Sequence, residues 1–564
     1  METVGSASNA TARRVGGGWW LLPAFFAILA ASSFLLFKNL GTYRLWDDEA
    51  EEAILAEQVW RTGDTSALVG TNIIAYNQGA QLHNLHDRAN SPLPFYFLAP
   101  FIGGECTDAL HPRLPFAVCG LAFIGLFLGL LWRAKVDGTT WLLFSMAILG
   151  NVALFLLFRQ ARYFGMTLLF SLAVGYLYLR WNGSRRALLA ISLLLICIFA
   201  THIITYAGVV SALFVDYLAW HRRERPLKWS DWAVLLLPQI VVGAAVLSVW
   251  NPFRTNMGQA LFANSLGERA ILFCWNLRDF NANELGCSLL IVAAPILFLA
   301  GFRRSCFWRG PLAIVVYCAV IAAISPKVLR LGWPFADVRY LAPLIPLSMA
   351  LGVLTLRAAV GNRRWLALPL GLIAFGTNLF NLGPLLKDPS HEGNHDGFHA
   401  TPVLFVRELL SPVPGPYADT VEWMTANMPP GASVWVLPGW ANYPLMYHAP
   451  QFVYAWQLAN PPALQFIGLD AIHFFGAIPP DYMIAFGPYI RDVEEVIARE
   501  RGEGVDYAEV AVVNRYWANI HRPAVIHHAF AAPEKFDRDN ETIRIFRRLE
   551  KKPEPPAQSQ IFFP

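Results

Sequence analysis

Eleven apolar runs, each close to the length needed to cross a bilayer, fill this chain up to residue 383 and narrow its possible folds sharply. They cover roughly 18–38, 114–132, 139–157, 163–180, 186–200, 203–220, 231–250, 286–302, 308–325, 340–357 and 365–383. Backbone N–H and C=O groups find no water inside a membrane, so such runs must be helices. The first run follows Arg13 and Arg14 as a signal peptide would, but it is too long for a signal core and is read as a retained span. Composition agrees. The 564 residues are 55% hydrophobic and only 15% charged, against about 25% charged in a soluble domain. A single water-soluble core could not hide this much apolar surface. The net charge of +4 gives no sign of a nucleic-acid partner.

Charge placement then orients the runs. With the N-terminus inside, the inner loops carry Arg133/Lys135, Arg185/Arg186, Arg222/Arg223/Arg225/Lys228, Arg303/Arg304/Arg309 and Arg357/Arg363/Arg364, so every one is basic, as the positive-inside rule requires. The expected fold is therefore mainly α and polytopic, with about 11 transmembrane helices in residues 1–383 and a large outer loop at 39–113. Residues 384–564 form the second expected region, a compact extracytoplasmic α/β domain. They alternate short β-rich runs (Ala432–Leu437, Gln451–Trp456, Tyr507–Val513) with helical patterns (Tyr417–Met428, Ile490–Glu500), punctuated by Pro429-Pro430-Gly431.

The residues suited to chemistry gather in the outer segments. Trp46-Asp47-Asp48-Glu49 opens a helix-compatible stretch that continues through Glu51, Glu52 and Glu57 and stops at Thr62-Gly63-Asp64. Acidic residues suit a helix start for its dipole alone. A carboxylate of Asp47, Asp48 or Glu49 so near the membrane surface is also placed to act as a general base. Ser91-Pro92-Leu93-Pro94-Phe95-Tyr96-Phe97-Leu98 reads as a short interfacial helix. Before it stand Arg88 and a possible divalent-metal set (Zn, Mg or Mn) of His83, His86 and Asp87, against the plainer reading of a solvated loop. Arg159-Gln160-Ala161-Arg162-Tyr163 and Asp337-Val338-Arg339-Tyr340 put arginines on the outer side, where they either snorkel to lipid headgroups or hold an anion such as phosphate. The seven cysteines contain no CxxC and lie mostly in apolar runs. Cys274 and Cys287 flank one outer loop, where a disulfide could form, but the odd count and the apolar settings argue against a framework.

In order along the chain, these motifs resemble the GT-C superfamily of membrane glycosyltransferases, in style closest to the lipid A aminoarabinose transferase and protein O-mannosyltransferase families. The resemblance covers residues 18–383. It rests on the acidic pair with Thr62-Gly63-Asp64, the Pro-Leu-Pro-aromatic segment, Arg113-Leu-Pro, Gln160-Ala-Arg-Tyr163 and Arg339-Tyr340-Leu-x-Pro-Leu-x-Pro. It implies sugar transfer from a polyprenyl-phosphate carrier to an acceptor hydroxyl of a lipid, glycan or protein, on the outer face of a plasma membrane. Asp48 takes the place of the family's catalytic aspartate, with Asp47 the near alternative. Arg159, Arg162 and Arg339, with Tyr340 alongside, would hold the lipid phosphate. The chain departs from aminoarabinose transferases at Ala89-Asn90-Ser91, where an acidic-Lys pair is expected, which leaves Arg88, His86 or Asp87 as stand-ins. The competing readings are a flippase for a lipid-linked saccharide, which would favour paired repeats not seen here, and a membrane assembly protein, which would have no special use for the acidic cluster.

Overall fold

The computed structural model describes residues 20–549 except 105, 257, 259–260, 262, 283–286, 302–304, 328, 330–335, 362, 383–397, 413, 460–463 and 515–541. The first apolar run becomes α1 (Leu21–Phe37). The outer loop follows, built from α2 (Asp47–Thr62), two small antiparallel hairpins and α3 (Leu93–Ile102). The hairpins pair β1 (Leu68–Val69) with β2 (Asn72–Ile73) and β3 (Leu82–His83) with β4 (His86–Asp87). Asn84 and Leu85 turn the second hairpin with φ of 52° and 59°, the doubly positive geometry that suits two-residue hairpin loops. α2 ends where the sequence indicates: Thr62 is its last residue, and Gly63 caps it at φ 81°.

The helices α4 (Leu110–Arg133), α5 (Gly138–Gly150), α6 (Val152–Phe158), α7 (Phe164–Arg180), α8 (Arg185–Thr201), α9 (Ile203–Asp216) and α10 (Trp229–Val249) come next. After them run α11 (Leu266–Ala282), α12 (Ser288–Leu299), α13 (Cys306–Ile324), α14 (Ile345–Val360) and α15 (Arg364–Gly376). Each of the eleven apolar runs thus contains a helix. Among the described residues, five stretches can cross a membrane unaided by length and apolarity: Leu110–Arg133, Ile203–Glu224, Trp229–Arg254, Cys306–Ile324 and Val338–Val360. The run at 139–157 is not one straight span. It bends by 59° between α5 and α6, because the Asn151 side chain accepts from the Leu154 N–H and starts a new helix. α10 shows why lipid is required: no residue of this apolar helix is buried within the protein, and Leu237, Ile240 and Val241 are about 60% exposed. The chain is an integral membrane protein. All seven cysteines are free.

The C-terminal part carries α16 (Thr401–Leu410), α17 (Pro416–Asn427), α18 (Asn442–His448) and α19 (Ile490–Gly502) beside a mixed five-stranded sheet. Its strands are β5 (Ser433–Leu437), β6 (Val453–Tyr454), β7 (Tyr482–Phe486), β8 (Tyr507–Asn514) and β9 (Thr542–Arg548), in the order β6-β5-β7-β9-β8. β5 runs parallel to β6 and β7, and β9 lies antiparallel between β7 and β8. This part shares one hydrophobic core with the outer loop: Trp46, Ala50 and Ile54 of α2 pack in the same cluster as Tyr443, Met446 and Tyr454. Polar links reinforce the junction. The Asn72 side chain bridges the Phe452 carbonyl and the Tyr454 N–H, and His448 Nε2 accepts from the Leu45 N–H at 2.9 Å while Nδ1 lies 2.6 Å from the Thr107 carbonyl oxygen. Burial, with Arg44 nearby, pushes the His448 imidazole down to about 3, so the ring is neutral and can donate at Nδ1 while accepting at Nε2.

Candidate active site

The start of α2 decides the site. Its first turn holds Asp47, Asp48 and Glu49 against the positive end of the helix, and the Glu49 side chain reaches back to the Trp46 N–H. Successive helical residues are turned by about 100°, so Asp48 and Glu49 face different ways, whereas Asp48 and Glu52, four apart, share a face.

That face meets three interruptions of the helical bundle. One is the turn 159–163 between α6 and α7, one is His202 between α8 and α9, and one is the 3-10 segment Val338–Leu344 leading into α14. From the first, Arg162 Nη2 lies 3.3 Å from Asp48 Oδ2, and Nη1 lies 3.1 Å from Glu52 Oε2 and donates to the Asp48 carbonyl oxygen at 3.1 Å. From the last, Arg339 donates through Nη1 to the same Asp48 Oδ2 and pairs at Nε with Asp337 at 2.8 Å. Between them the rings stack. His202 lies 4.2 Å from Tyr163 with the planes 8° apart, and 5.3 Å from Tyr340. The Arg162 guanidinium lies over Tyr163 and the Arg339 guanidinium over Tyr340, while both reach the same Asp48 oxygen. The aromatic rings therefore back the two cations, and Asp48 lies between them.

The electrostatics are crowded. Burial, only partly offset by Arg162 and aggravated by Asp48, pushes Glu52 up to about 8. Burial, with Asp87 and Asp48 beside it, also drives Glu51 well above the usual carboxyl range. Asp87 is pushed up to about 6, again by burial. Glu52 Oε1 and Arg162 Nε are buried with no hydrogen-bond partner, so the cluster holds unspent donor and acceptor capacity. Paired guanidiniums spaced beside a carboxylate can bind an anion and place a proton acceptor next to it.

The expected site residues divide clearly. Asp48, Arg162, Arg339 and Tyr340 come together. Asp47 is buried in the same helical turn. Glu49 does not face them: Arg113 grips both of its oxygens, at 2.9 and 2.6 Å, and the Ala161 N–H adds a bond of 2.7 Å. Arg159 points to the end of α1, donating to the carbonyls of Leu35, Leu36 and Asn39. Arg88 is spent on Asp64, by two bonds of 2.9 and 2.6 Å, and stacks over Trp250. His83, His86 and Asp87 do not fit a metal. Asp87 accepts from the Ala89 and Asn90 N–H groups and the Asn90 side chain, and His86 faces Asp64 and the Asn84 carbonyl. Sequence reasoning leaves out Glu52 and His202. The i, i+4 spacing from Asp48 is a usable signal for Glu52, whereas nothing local marks a histidine at a helix break as a stacking element.

No family model and no curated protein matches this chain. Among solved structures it is similar to ArnT from Cupriavidus metallidurans in the apo state, with 13% identity, a TM-score of 0.49, and coverage of 93% of this chain and 98% of that one. The same protein bound to undecaprenyl phosphate gives 13%, 0.48, 94% and 98%. An oligosaccharyltransferase from Archaeoglobus fulgidus, tethered with an acceptor peptide, gives 11%, 0.38, 77% and 64%.

Proposed function

We propose that this protein is a glycosyltransferase that moves a sugar from a polyprenyl-phosphate carrier to an acceptor hydroxyl on the outer face of the membrane. The observation that carries the reading is the Asp48 carboxylate held between two arginines, Arg162 and Arg339, that come from separate parts of the chain and each lie over a tyrosine ring. A lipid phosphate and Asp48 compete for the same guanidiniums. The phosphodiester accepts paired hydrogen bonds from them through its two free oxygens, and its charge grows as the sugar leaves, so its binding draws them from Asp48 and restores the carboxylate's basicity. Asp48 then takes the proton of the acceptor hydroxyl, whose oxygen attacks the anomeric carbon. The carbon–oxygen bond to the phosphate breaks, the arginines hold the departing polyprenyl phosphate, and the anomeric configuration inverts.

Two further features support a lipid donor. An apolar cavity of about 320 Å³ lies between α8, α9 and α10, lined by Ile196, Phe199, Tyr206, Gly243 and Leu247 among others. A second cavity shares Phe199 and Leu247 and reaches Ile203, the residue after His202. The larger cavity offers part of an isoprenoid tail an apolar seat, and the smaller one, about 10 Å³, marks the side of it nearer His202. In this reading eleven helices span the membrane, and the mixed sheet and its helices lie outside, covering the acceptor side. The test is transfer from a defined polyprenyl-phosphate sugar in detergent, beside a donor-binding measurement. Asp48→Asn keeps the shape and should bind donor yet turn over at least ~100-fold more slowly, the low end for loss of a general base. Normal turnover by Asp48→Asn would sink the proposal.

A further inference from the structure

Just before α4 the chain reads Cys106-Thr107-Asp108-Ala109-Leu110-His111. Asp108 caps the helix: its Oδ1 accepts from the N–H groups of Leu110 and His111, at 2.8 and 3.1 Å. That cap fixes where the other carboxylate oxygen points. Oδ2 lies 3.1 Å from Cys106 Sγ and 2.6 Å from His111 Nδ1, and the three ligand atoms are all within 4.8 Å of one another. Among the described residues, this is where three His, Cys, Asp or Glu side chains converge closely enough to share an ion.

We propose that Cys106, Asp108 and His111 form a zinc site. One sulfur, one nitrogen and one oxygen suit a borderline-soft ion, and exclude calcium or magnesium as the preferred occupant. Ligand atoms around a tetrahedral zinc ion stand about 3.5 Å apart, as follows from bonds of about 2.0–2.3 Å. The two distances to Asp108 Oδ2, 3.1 and 2.6 Å, lie on the short side of that spacing. The backbone of the cluster is already fixed from the far side, because Tyr447 donates to the Asp108 carbonyl at 3.0 Å and His448 Nδ1 contacts the Thr107 carbonyl. Two ligands remain open to solvent, with His111 58% and Asp108 49% exposed at the side chain, so an ion can enter and water can fill a fourth position. Binding releases one proton, from the Cys106 thiol, and moves the His111 proton to Nε2. Zinc, thiolate and carboxylate then sum to zero charge. The ion clamps the start of α4 to the loop that receives α18, and the site is independent of the transfer reaction.

The test uses the full-length protein in detergent, stripped with chelator and desalted. Titration with zinc chloride should show one equivalent bound at this site, and cobalt chloride should give a thiolate-to-cobalt charge-transfer band. Cys106→Ser should abolish the band. Cys106→Ser, His111→Ala and Asp108→Asn should each weaken zinc at least ~10-fold. Asparagine is as good a helix cap as aspartate, so in the Asp108→Asn variant α4 keeps its cap and the loss cannot be assigned to a frayed helix. Absence of zinc uptake by the unaltered protein, or uptake and a cobalt band unchanged in the Cys106→Ser/His111→Ala double variant, overturns the assignment.

Discussion

Asp48 and Glu49 are neighbours on one helix, and both meet arginines, but the two clusters are built in opposite ways. Arg113 uses five hydrogen bonds, to both Glu49 oxygens and to the carbonyls of Leu40, Tyr43 and Arg44, so its five N–H groups are matched. The Glu49 side chain is fully buried and also receives the N–H groups of Trp46 and Ala161. Asp48 and Arg339 are each about one quarter exposed, and Arg162 keeps an unpartnered Nε. A saturated, dry ion pair holds loops together: it ties α4 to the start of α2 and to the chain between α1 and α2. An unsaturated, accessible one retains capacity for a ligand. The distinction lies in the count of partners, because both clusters contain the same residue types.

The largest effect should come from breaking the saturated cluster. Glu49→Gln leaves the Arg113 charge buried without its counter-ion, which typically costs about 3–5 kcal/mol. Thermal unfolding in detergent should show that loss, with the folded fraction still binding donor. A stable Glu49→Gln protein with lost turnover would reverse the comparison and make Glu49 the chemical residue. The next largest effect lies in the open cluster. Arg339→Ala should weaken donor binding roughly tenfold or more, the worth of a charged hydrogen bond, with little change in unfolding. Arg339→Lys should recover only part, since lysine keeps the charge and loses the planar fork. Equal donor affinity in all three proteins would remove Arg339 from the site.

Much of this is legible before any coordinates, for reasons that stop at definite residues. The start and end of α2 follow from local rules, acidic first turn and Gly63, and so do α3 after Pro92 and the strand–helix alternation near β5, α17 and α19. Which carboxylate meets which arginine is not local. Arg113 lies 64 residues from Glu49 and Arg339 lies 291 from Asp48, so nothing in the spacing separates the structural pair from the open one. Arg159 misleads for a related reason: an outward arginine suits an anion, but this one finds the carbonyls at the end of α1 first. The proposed zinc ligands carry no paired-cysteine signal, because Cys106 is partnered by an aspartate and a histidine. The strand β9 is not among the β-rich runs named above: its alternation holds only for Ile543 and Ile545, then buried Phe546 and exposed Arg547 break it, and three arginines mask the rest.

The last prediction tests the acidic side of the open cluster through pH, and what it reads is a direction rather than a size. Burial raises the Glu52 carboxyl from its ordinary 4.5 to about 8, and Arg162 at 3.1 Å offsets only part of that. Below about pH 4.5 the group is protonated both folded and unfolded and contributes nothing to pH dependence. Between 4.5 and 8 the unfolded chain releases this proton while the folded protein keeps it. The folded state then binds more protons than the unfolded one, so stability falls as pH rises through that window and levels off above it. The direction is the reverse of that for a carboxylate whose folded pKa is depressed by a strong ion pair. Glu52→Gln mimics the protonated form and removes the term. Its unfolding midpoint should match that of the unaltered protein near pH 4.5 and gain on it progressively up to about pH 8. A difference that stays constant from pH 5 to pH 8 would mean that Glu52 is ionised throughout. Asp48 and Glu52 would then share Arg162 as an ordinary ion network, and the open cluster would stand much closer to the saturated one.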